Sequence, residues 1–313
     1  MPPRLSDRCS LRRSITNSKR RHLRPFLYLS FSFLLSLLFL HSTSLLLRRA
    51  NSLGRRCYPL SPPPPLSFPQ PKMAIVTISD ESKQADIYYP GGWKRRSFVG
   101  MKEAVWGNKR KYADRMGYDF VDATELVDPS RPPNWSKILA VRSCLGVYDW
   151  VFWNDADTVI TNLDVALETI LFGLIGHGDV KSTPDLVVTQ DLNGVNSGVF
   201  FIRKSDWSER FLEKWWDQSS FIQFGSTKSG DNAALRHLID SLPDEESQLH
   251  IIISPMQCLF NSYPWFPSWK SLYRLLISPQ KTWQGVYSDG DFIVHLAGLD
   301  DKRGWALKLL QEV

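Results

Sequence analysis

The chain has 313 residues, 43% apolar and 12% aromatic, which is enough for one large domain with a real core or for two small ones. Its net charge of +6 is unevenly placed: residues 1–72 carry 13 Lys/Arg against Asp7 alone, and the other 25 Lys/Arg face 31 acids. A net acidic main domain excludes a nucleic-acid-binding surface there, and 4 cysteines are too few for a disulfide framework in a chain this long.

The basic arm ending in Arg20, Arg21 and Arg24 leads into an uncharged run from Phe26 to Leu47, the roughly 20 residues that cross a bilayer. Charge ahead of the run predicts a cytosolic N-terminus, although Arg48, Arg49, Arg55 and Arg56 behind it oppose that bias. The expected division is a tail over 1–25, a transmembrane signal-anchor over 26–47, a Pro-rich stem over 48–72 and a main domain over 73–313. A cleaved signal peptide and an organellar transit peptide are the alternatives. Ser61 to Pro71 cannot pair in a sheet and reads as an extended spacer. Met73 stands where an internal start would give a soluble form.

Ala74 to Ser79 is β-branched, as in a buried parallel strand. Phe98, Met101, Val105, Tyr112 and Met116 follow helical spacing, and Gly117 supplies a stop. Tyr118–Val121 is the next strand, Trp135–Tyr148 a second helix and Asp149–Trp153 a third strand. Asp185–Thr189 and Ser197–Ile202 are further strands. Helices follow over Asp206–Ser219, opened by Asp206 and Glu209 at capping-box spacing, and over Asp231–Ile239. Strands alternating with helices predict an α/β fold, a mostly parallel sheet covered on both faces. Asn134-Trp-Ser136 is a glycosylation sequon. Cys144 and Cys258 are expected as two separately buried thiols, with pairing in an oxidising lumen as the alternative.

Chemistry concentrates where the apolar strand ending at Trp153 gives way to Asn154-Asp-Ala-Asp157. In extended backbone, residues i and i+2 point to one side, so Asp155 and Asp157 face one divalent cation at the carboxyl end of a strand. Sites of such sheets lie there.

Asn108 to Ala113, Gly117-Tyr118, Trp135-Ser-Lys137, Trp153 to Asp157, Asn193 to Arg203, Asp231 to Leu235 and His295-Leu-Ala-Gly298 follow one another in fixed order. In that order they resemble glycosyltransferase family 34, the galactosyl-, xylosyl- and mannosyltransferases of fungi and plants, over nearly all of residues 73–300. The resemblance implies a GT-A fold, Mn²⁺, a nucleotide-sugar donor, retention of anomeric configuration, and a single-span type II Golgi protein with its catalytic domain in the lumen. The family's metal geometry is common to UDP-galactose, UDP-xylose and GDP-mannose, and the expectation favours a UDP-sugar over a GDP-sugar. An oligosaccharide or polysaccharide is the expected acceptor, and self-association or pairing with other transferases is left open.

On this resemblance Asp155, Asp157 and His295 hold the metal. Thr77 and Ser79 line the nucleotide pocket, bordered by Lys109 and Tyr112. Lys137 and Lys302 approach the phosphates or sugar, and Gly298 forms the turn after the histidine. Asp191, Asn193 and Asn196 contact sugar, and Asp231 with Asn232 lies on the donor's reacting face. An amide is no carboxylate nucleophile, so a covalent route needs Asp191 or Asp231. Front-face attack is preferred. Trp265, Trp269 and Trp283, with Tyr263 and Phe266, could line an acceptor cleft or sit in the core. A family 8 type transferase and a Golgi-resident non-catalytic binding protein are the rival readings, the second because the chain ends soon after His295.

Overall fold

The computed structural model describes residues 5–55, 57, 71–81, 97–176, 184–224 and 228–313, with side chains from Pro25 onward. Helix α1 (Leu5–Arg48) contains a 24-residue stretch, Pro25–Arg48, apolar and long enough to cross a membrane and not buried against the domain. The Pro-rich spacer falls largely on residues 58–70, outside the described residues.

The main domain runs β1 (Met73–Thr77), α2 (Met101–Met116), β2 (Asp119–Asp122), α3 (Ser136–Leu145), β3 (Trp150–Asn154), β4 (Thr158–Ile160) and α4 (Leu167–Ile175). It continues with β5 (Leu186–Asp191), β6 (Gly194–Arg203), α5 (Asp206–Trp216), α6 (Asp231–Asp240), α7 (Asp244–His250) and β7 (Ile251–Ser254). The last elements are α8 (Trp269–Ile277), α9 (Pro279–Gly285), β8 (Ile293–His295) and α10 (Lys302–Leu310).

Six strands form one sheet in the order β2-β1-β3-β6-β5-β7, and β6 alone runs against its neighbours, so the sheet is mostly parallel as expected. Successive side chains leave a strand on opposite faces, and two apolar layers result. Val151, Trp153, Val188, Phe200 and Ile202 pack under α3, α5 and α6. Phe152, Val187, Val199 and Phe201 pack under α2 and α4, with Phe152 and Phe201 rings 4.6 Å apart. Near-continuous apolar runs are what a sheet buried on both faces requires. Gly117 ends α2 at φ 78°, as its sequence position predicted, with the Tyr118 N–H returning to the Ala113 carbonyl at 2.9 Å.

Two local expectations are corrected. Ser205, not Asp206, caps α5, because its hydroxyl sits one residue earlier and accepts from the Ser208 N–H at 3.1 Å. Cys258 is not a thiol: it is bridged to Cys57, while Cys144 is free and buried.

That bridge belongs to a larger clamp. Arg55, 5% exposed, donates to both oxygens of Asp291 at 2.7 and 2.6 Å and to the Trp283 carbonyl at 3.0 Å. Asn51 donates to Asp291 at 2.8 Å, and Arg48 pairs with Asp289 and Glu312. Residues 48–55 and Cys57 therefore lie on the C-terminal part of the domain. Two of the arginines that opposed the charge bias in the sequence, Arg48 and Arg55, are paired with its acids.

A disulfide closing a separation of 201 residues is worth about 5 kcal/mol in the chain-entropy account. Cys57→Ser should lower Tm by on the order of 10 °C in scanning calorimetry, and a reductant should reproduce the shift in the unsubstituted chain. An unchanged Tm would show that the bridge carries no stability.

Candidate active site

β3 is buried along its whole length and delivers Asp155 and Asp157 at its carboxyl end. The two carboxylates converge through a turn, not through extended backbone as the sequence reading assumed. The Thr158 N–H donates to the Asp155 carbonyl at 3.2 Å, and the Asp155 N–H donates to the Gly198 carbonyl at 2.8 Å. The chain then enters β4, which pairs antiparallel with β8 so that Thr158 lies opposite His295. His295 Nε2 comes to 3.3 Å from Asp157 Oδ1, and one ligand atom from each of Asp155, Asp157 and His295 lies within 4.8 Å of the others.

The histidine is set up to be a ligand. Asn261 Nδ2 donates to Thr189 Oγ1 at 3.0 Å and to Asn196 Oδ1 at 3.1 Å, which leaves Asn261 Oδ1 as an acceptor for His295 Nδ1 at 2.8 Å. With its proton held on Nδ1, the ring turns the Nε2 lone pair toward the carboxylates. Gly198 makes room for it: a Cβ there would meet His295 Cε1 at 2.3 Å.

Three buried or half-buried carboxylates need compensating charge. Lys137, fully buried, lies 3.1 Å from Asp155 Oδ1 and 3.0 Å from Asp231 Oδ2. Lys302, also buried, bonds Asp157 Oδ2 and the Leu296 carbonyl. Burial opposes ionisation of Asp157, but the Lys302 ammonium beside it works against burial, and the carboxyl is held well below the usual carboxylate range. Asp231 is likewise held low, by Lys137 and the Ser229 and Ser197 hydroxyls acting against burial. Asp155 goes the other way: burial, with repulsion from Asp157, outweighs Lys137 and raises it. Two carboxylates and one imidazole converging on one point are a donor set that suits a hard divalent cation.

Beside this cluster lies a second one. Asp191 Oδ1 accepts from the Asn193 N–H at 2.6 Å, and Asp191 Oδ2 accepts from Asn196 Nδ2 at 3.1 Å and from the Tyr263 hydroxyl at 2.8 Å. The Gly198 N–H donates to Asn196 Oδ1 at 2.8 Å, joining the clusters. Asp191, Asn193, Tyr263, Trp265 and Arg274 line a surface cleft. Asn232 Oδ1 accepts from the Ser197 N–H at 2.6 Å, and its Nδ2 has no hydrogen-bond partner among the described residues.

Of the other residues singled out in the sequence, Lys109 reaches the Asp155 carbonyl at 2.9 Å and Thr77 Oγ1 at 3.2 Å, and burial pulls its ammonium down to about 7. Ser79 lies at the mouth of β1, bonded to Thr124 and Glu81. Gly298, at φ 76°, turns the chain after β8 toward α10 and Lys302. Tyr112 is not brought to the site. Its ring packs in the core against Phe292, 5.4 Å between centroids, and its hydroxyl bonds the Val165 carbonyl at 2.6 Å, because α2 turns this position to the sheet. Asp231 is not a cap, since Gly230 occupies that position.

Asn261 is the residue that sequence reasoning missed. Its signal was a polar triplet, Asn261-Ser-Tyr263, directly after the apolar Leu259-Phe260. Ser229 was not singled out either, and Ser197 and Trp153, whose Nε1 donates to Asp155 at 2.9 Å, lay inside quoted motifs without a role of their own.

Residues 70–174 and 177–305 match the model of the galactosyl transferase GMA12/MNN10 family. Among curated relatives, the probable alpha-1,6-mannosyltransferase MNN10 of Saccharomyces cerevisiae is 24% identical, covering 73% of this chain and 62% of the relative. An uncharacterized alpha-1,2-galactosyltransferase of Schizosaccharomyces pombe is 27% identical, covering 61% of this chain and 54% of the relative. The chain thus spans somewhat over half the length of these relatives. A solved glycosyltransferase involved in glycosylation of the major capsid of PBCV-1 superposes with a TM-score of 0.50 at 12% identity, covering 78% of this chain and all of that one, a likeness of fold.

If Asn261 orients the imidazole, Asn261→Leu should weaken Mn²⁺ binding on the order of 10–100-fold in calorimetry while leaving the circular dichroism spectrum unchanged. Gly198→Ala should displace His295 and weaken binding at least as much. Wild-type affinity in both variants would remove His295 from the ligand set.

Proposed function

The chain belongs to the galactosyl transferase GMA12/MNN10 family, glycosyltransferase family 34, and on that premise we propose that it is a membrane-anchored, Mn²⁺-dependent, retaining glycosyltransferase of the Golgi lumen. Its donor in this reading is a nucleotide sugar carrying galactose, xylose or mannose, UDP-linked in preference to GDP-linked. The acceptor is a glycan or polysaccharide. The observation that carries the proposal is the convergence of Asp155, Asp157 and His295, with Lys302 and Lys137 at the same point.

Asp155, Asp157 and His295 would hold the metal, which when bound supplies a Lewis acid against the donor diphosphate. Lys302 and Lys137 add fixed positive charge where the leaving diphosphate gathers negative charge. Thr77, Ser79 and Lys109, around the end of β1, border the nucleotide side. The unspent amide of Asn232 is available to a donor hydroxyl. Tyr263, Trp265 and Asn193 in the adjoining cleft offer aromatic faces and an amide to an acceptor sugar.

The geometry favours front-face attack over a covalent intermediate. Asp231 spends Oδ1 on Ser229 and Oδ2 on Ser197 and Lys137, and Asp191 spends both oxygens on Asn193, Asn196 and Tyr263. An oxygen so engaged must give up one or two of these bonds before it can act as a nucleophile. The acceptor hydroxyl is then deprotonated by the departing phosphate oxygen.

The protein with Mn²⁺, offered a panel of UDP- and GDP-sugars, should turn over one donor, and chelation should abolish this. Asp157→Asn should lose at least 100-fold in kcat while still folding. Absence of hydrolysis and transfer with every donor, alongside intact metal-dependent nucleotide binding, would favour the non-catalytic reading. Lys137→Met, which strands two buried carboxylates, should cost on the order of 3–5 kcal/mol of stability in urea unfolding.

A further inference from the structure

Helix α8 presents its apolar side outward. Trp269 is 82% exposed, Tyr273 64%, Leu276 73% and Ile277 59%, and the spacing i, i+4, i+7, i+8 puts all four on one face. Lys270 and Arg274 flank this strip. The inward side is supplied by Ser271, Leu272 and Leu275, which are half-buried. Four large apolar side chains so exposed on nine residues call for an occupant.

The location of the helix identifies it. Trp265 Nε1 donates to Ser44 Oγ at 3.2 Å, and Ser44 lies one turn before the end of the apolar stretch of α1. Four residues of helix rise about 6 Å, so Trp265 touches the span just inside its Arg48–Arg49 boundary, the depth at which tryptophan rings gather in membranes. Helix α8 starts four residues later, within roughly 14 Å of that contact. The clamp of Arg55 on Asp291 and the Cys57–Cys258 bridge fix this part of the domain at the end of the span.

We propose that α8 is an interfacial helix, lying in the luminal leaflet with Trp269, Tyr273, Leu276 and Ile277 among the acyl chains and Lys270 and Arg274 at anionic headgroups. The proposal rests on the reading of Pro25–Arg48 as a membrane span. Ser271 and Arg274 also line the cleft that holds Tyr263 and Trp265. Docking of α8 would therefore hold the acceptor cleft at the membrane surface and favour acceptors that arrive there.

The test uses the full chain in vesicles of phosphatidylcholine with a minority of phosphatidylserine. Leu276→Cys in a Cys9→Ser background gives one accessible thiol for an environment-sensitive fluorophore, because Cys144 is buried and Cys57 and Cys258 are paired. The expected result is loss of at least half the emission to doxyl-labelled lipid, protection from aqueous iodide, and retention of the protein in the membrane after alkaline carbonate. As the fluorophore is itself apolar, Trp269→Ser with Tyr273→Ser should restore iodide access. Quenching by iodide alone in carbonate-resistant protein overturns the proposal and leaves the span standing. Protection from both quenchers overturns it in favour of a second copy. Extraction by carbonate removes the span, and the proposal with it.

Discussion

Burial of negative charge governs this structure. Asp155, Asp157 and Asp231 come from the end of β3, the turn after it and the start of α6, and they meet where little water can solvate them. Ionised groups in such a place persist only if paired and hydrogen-bonded. Lys137 answers this by leaving α3 through the core and touching two of the three acids at once. Trp135 and Trp215 hold the loop carrying Asp231 from below, with Nε1 donating to the Ser229 and Asp231 carbonyls at 2.8 and 3.0 Å. Even so, Asp155 is raised, against the pull of Lys137.

The second constraint is the delivery of His295 from the far end of the chain. β8 has only three residues and forms with β4 a two-stranded sheet apart from the main one, bridged on its other side to Ser262 by the His295 N–H at 2.7 Å. Its position depends on the residues before it. Asp291 accepts from Arg55, Asn51, Ser262 and the Ser288 N–H, so the strand begins from an anchored point. Burial raises Asp291 despite the Arg55 guanidinium beside it, as expected where two charges are taken out of water together. Arg55, seven residues beyond the end of the long apolar helix, thus helps set where His295 stands.

The sheet was legible because its strands are apolar on both faces and separated by periodic helices, with Gly117 closing α2 where expected. The clustering of Asp155, Asp157 and His295 was legible for another reason: the two acids interrupt an apolar run, and His295 sits before a glycine turn. What stayed hidden is long-range. Cys57 and Arg55 read as stem because nothing local ties them to Cys258 and Asp291, and a separation of 201 residues leaves no periodic trace. Tyr112 was misplaced because helical spacing identifies a face but not the layer it meets. Asn261 was overlooked because it acts through His295 Nδ1, and a positioning amide carries no motif.

Trp269 shows how an aromatic-rich segment divides. Tyr263, Trp265, Phe266 and Trp269 are close in sequence yet serve different surroundings. Tyr263 bonds Asp191 and Asn196 in the cleft. Trp265 reaches Ser44 on the long helix, Phe266 packs edge-on against Trp305 at 4.6 Å, and Trp269 points into solvent. One short segment therefore touches the cleft, the domain core and the helix proposed to span the membrane. Hydrogen bonds lead on from Tyr263 through Asp191 and Asn196 to Gly198, which leaves room for His295, so the segment that reaches the long helix is also tied to the cluster of Asp155, Asp157 and His295.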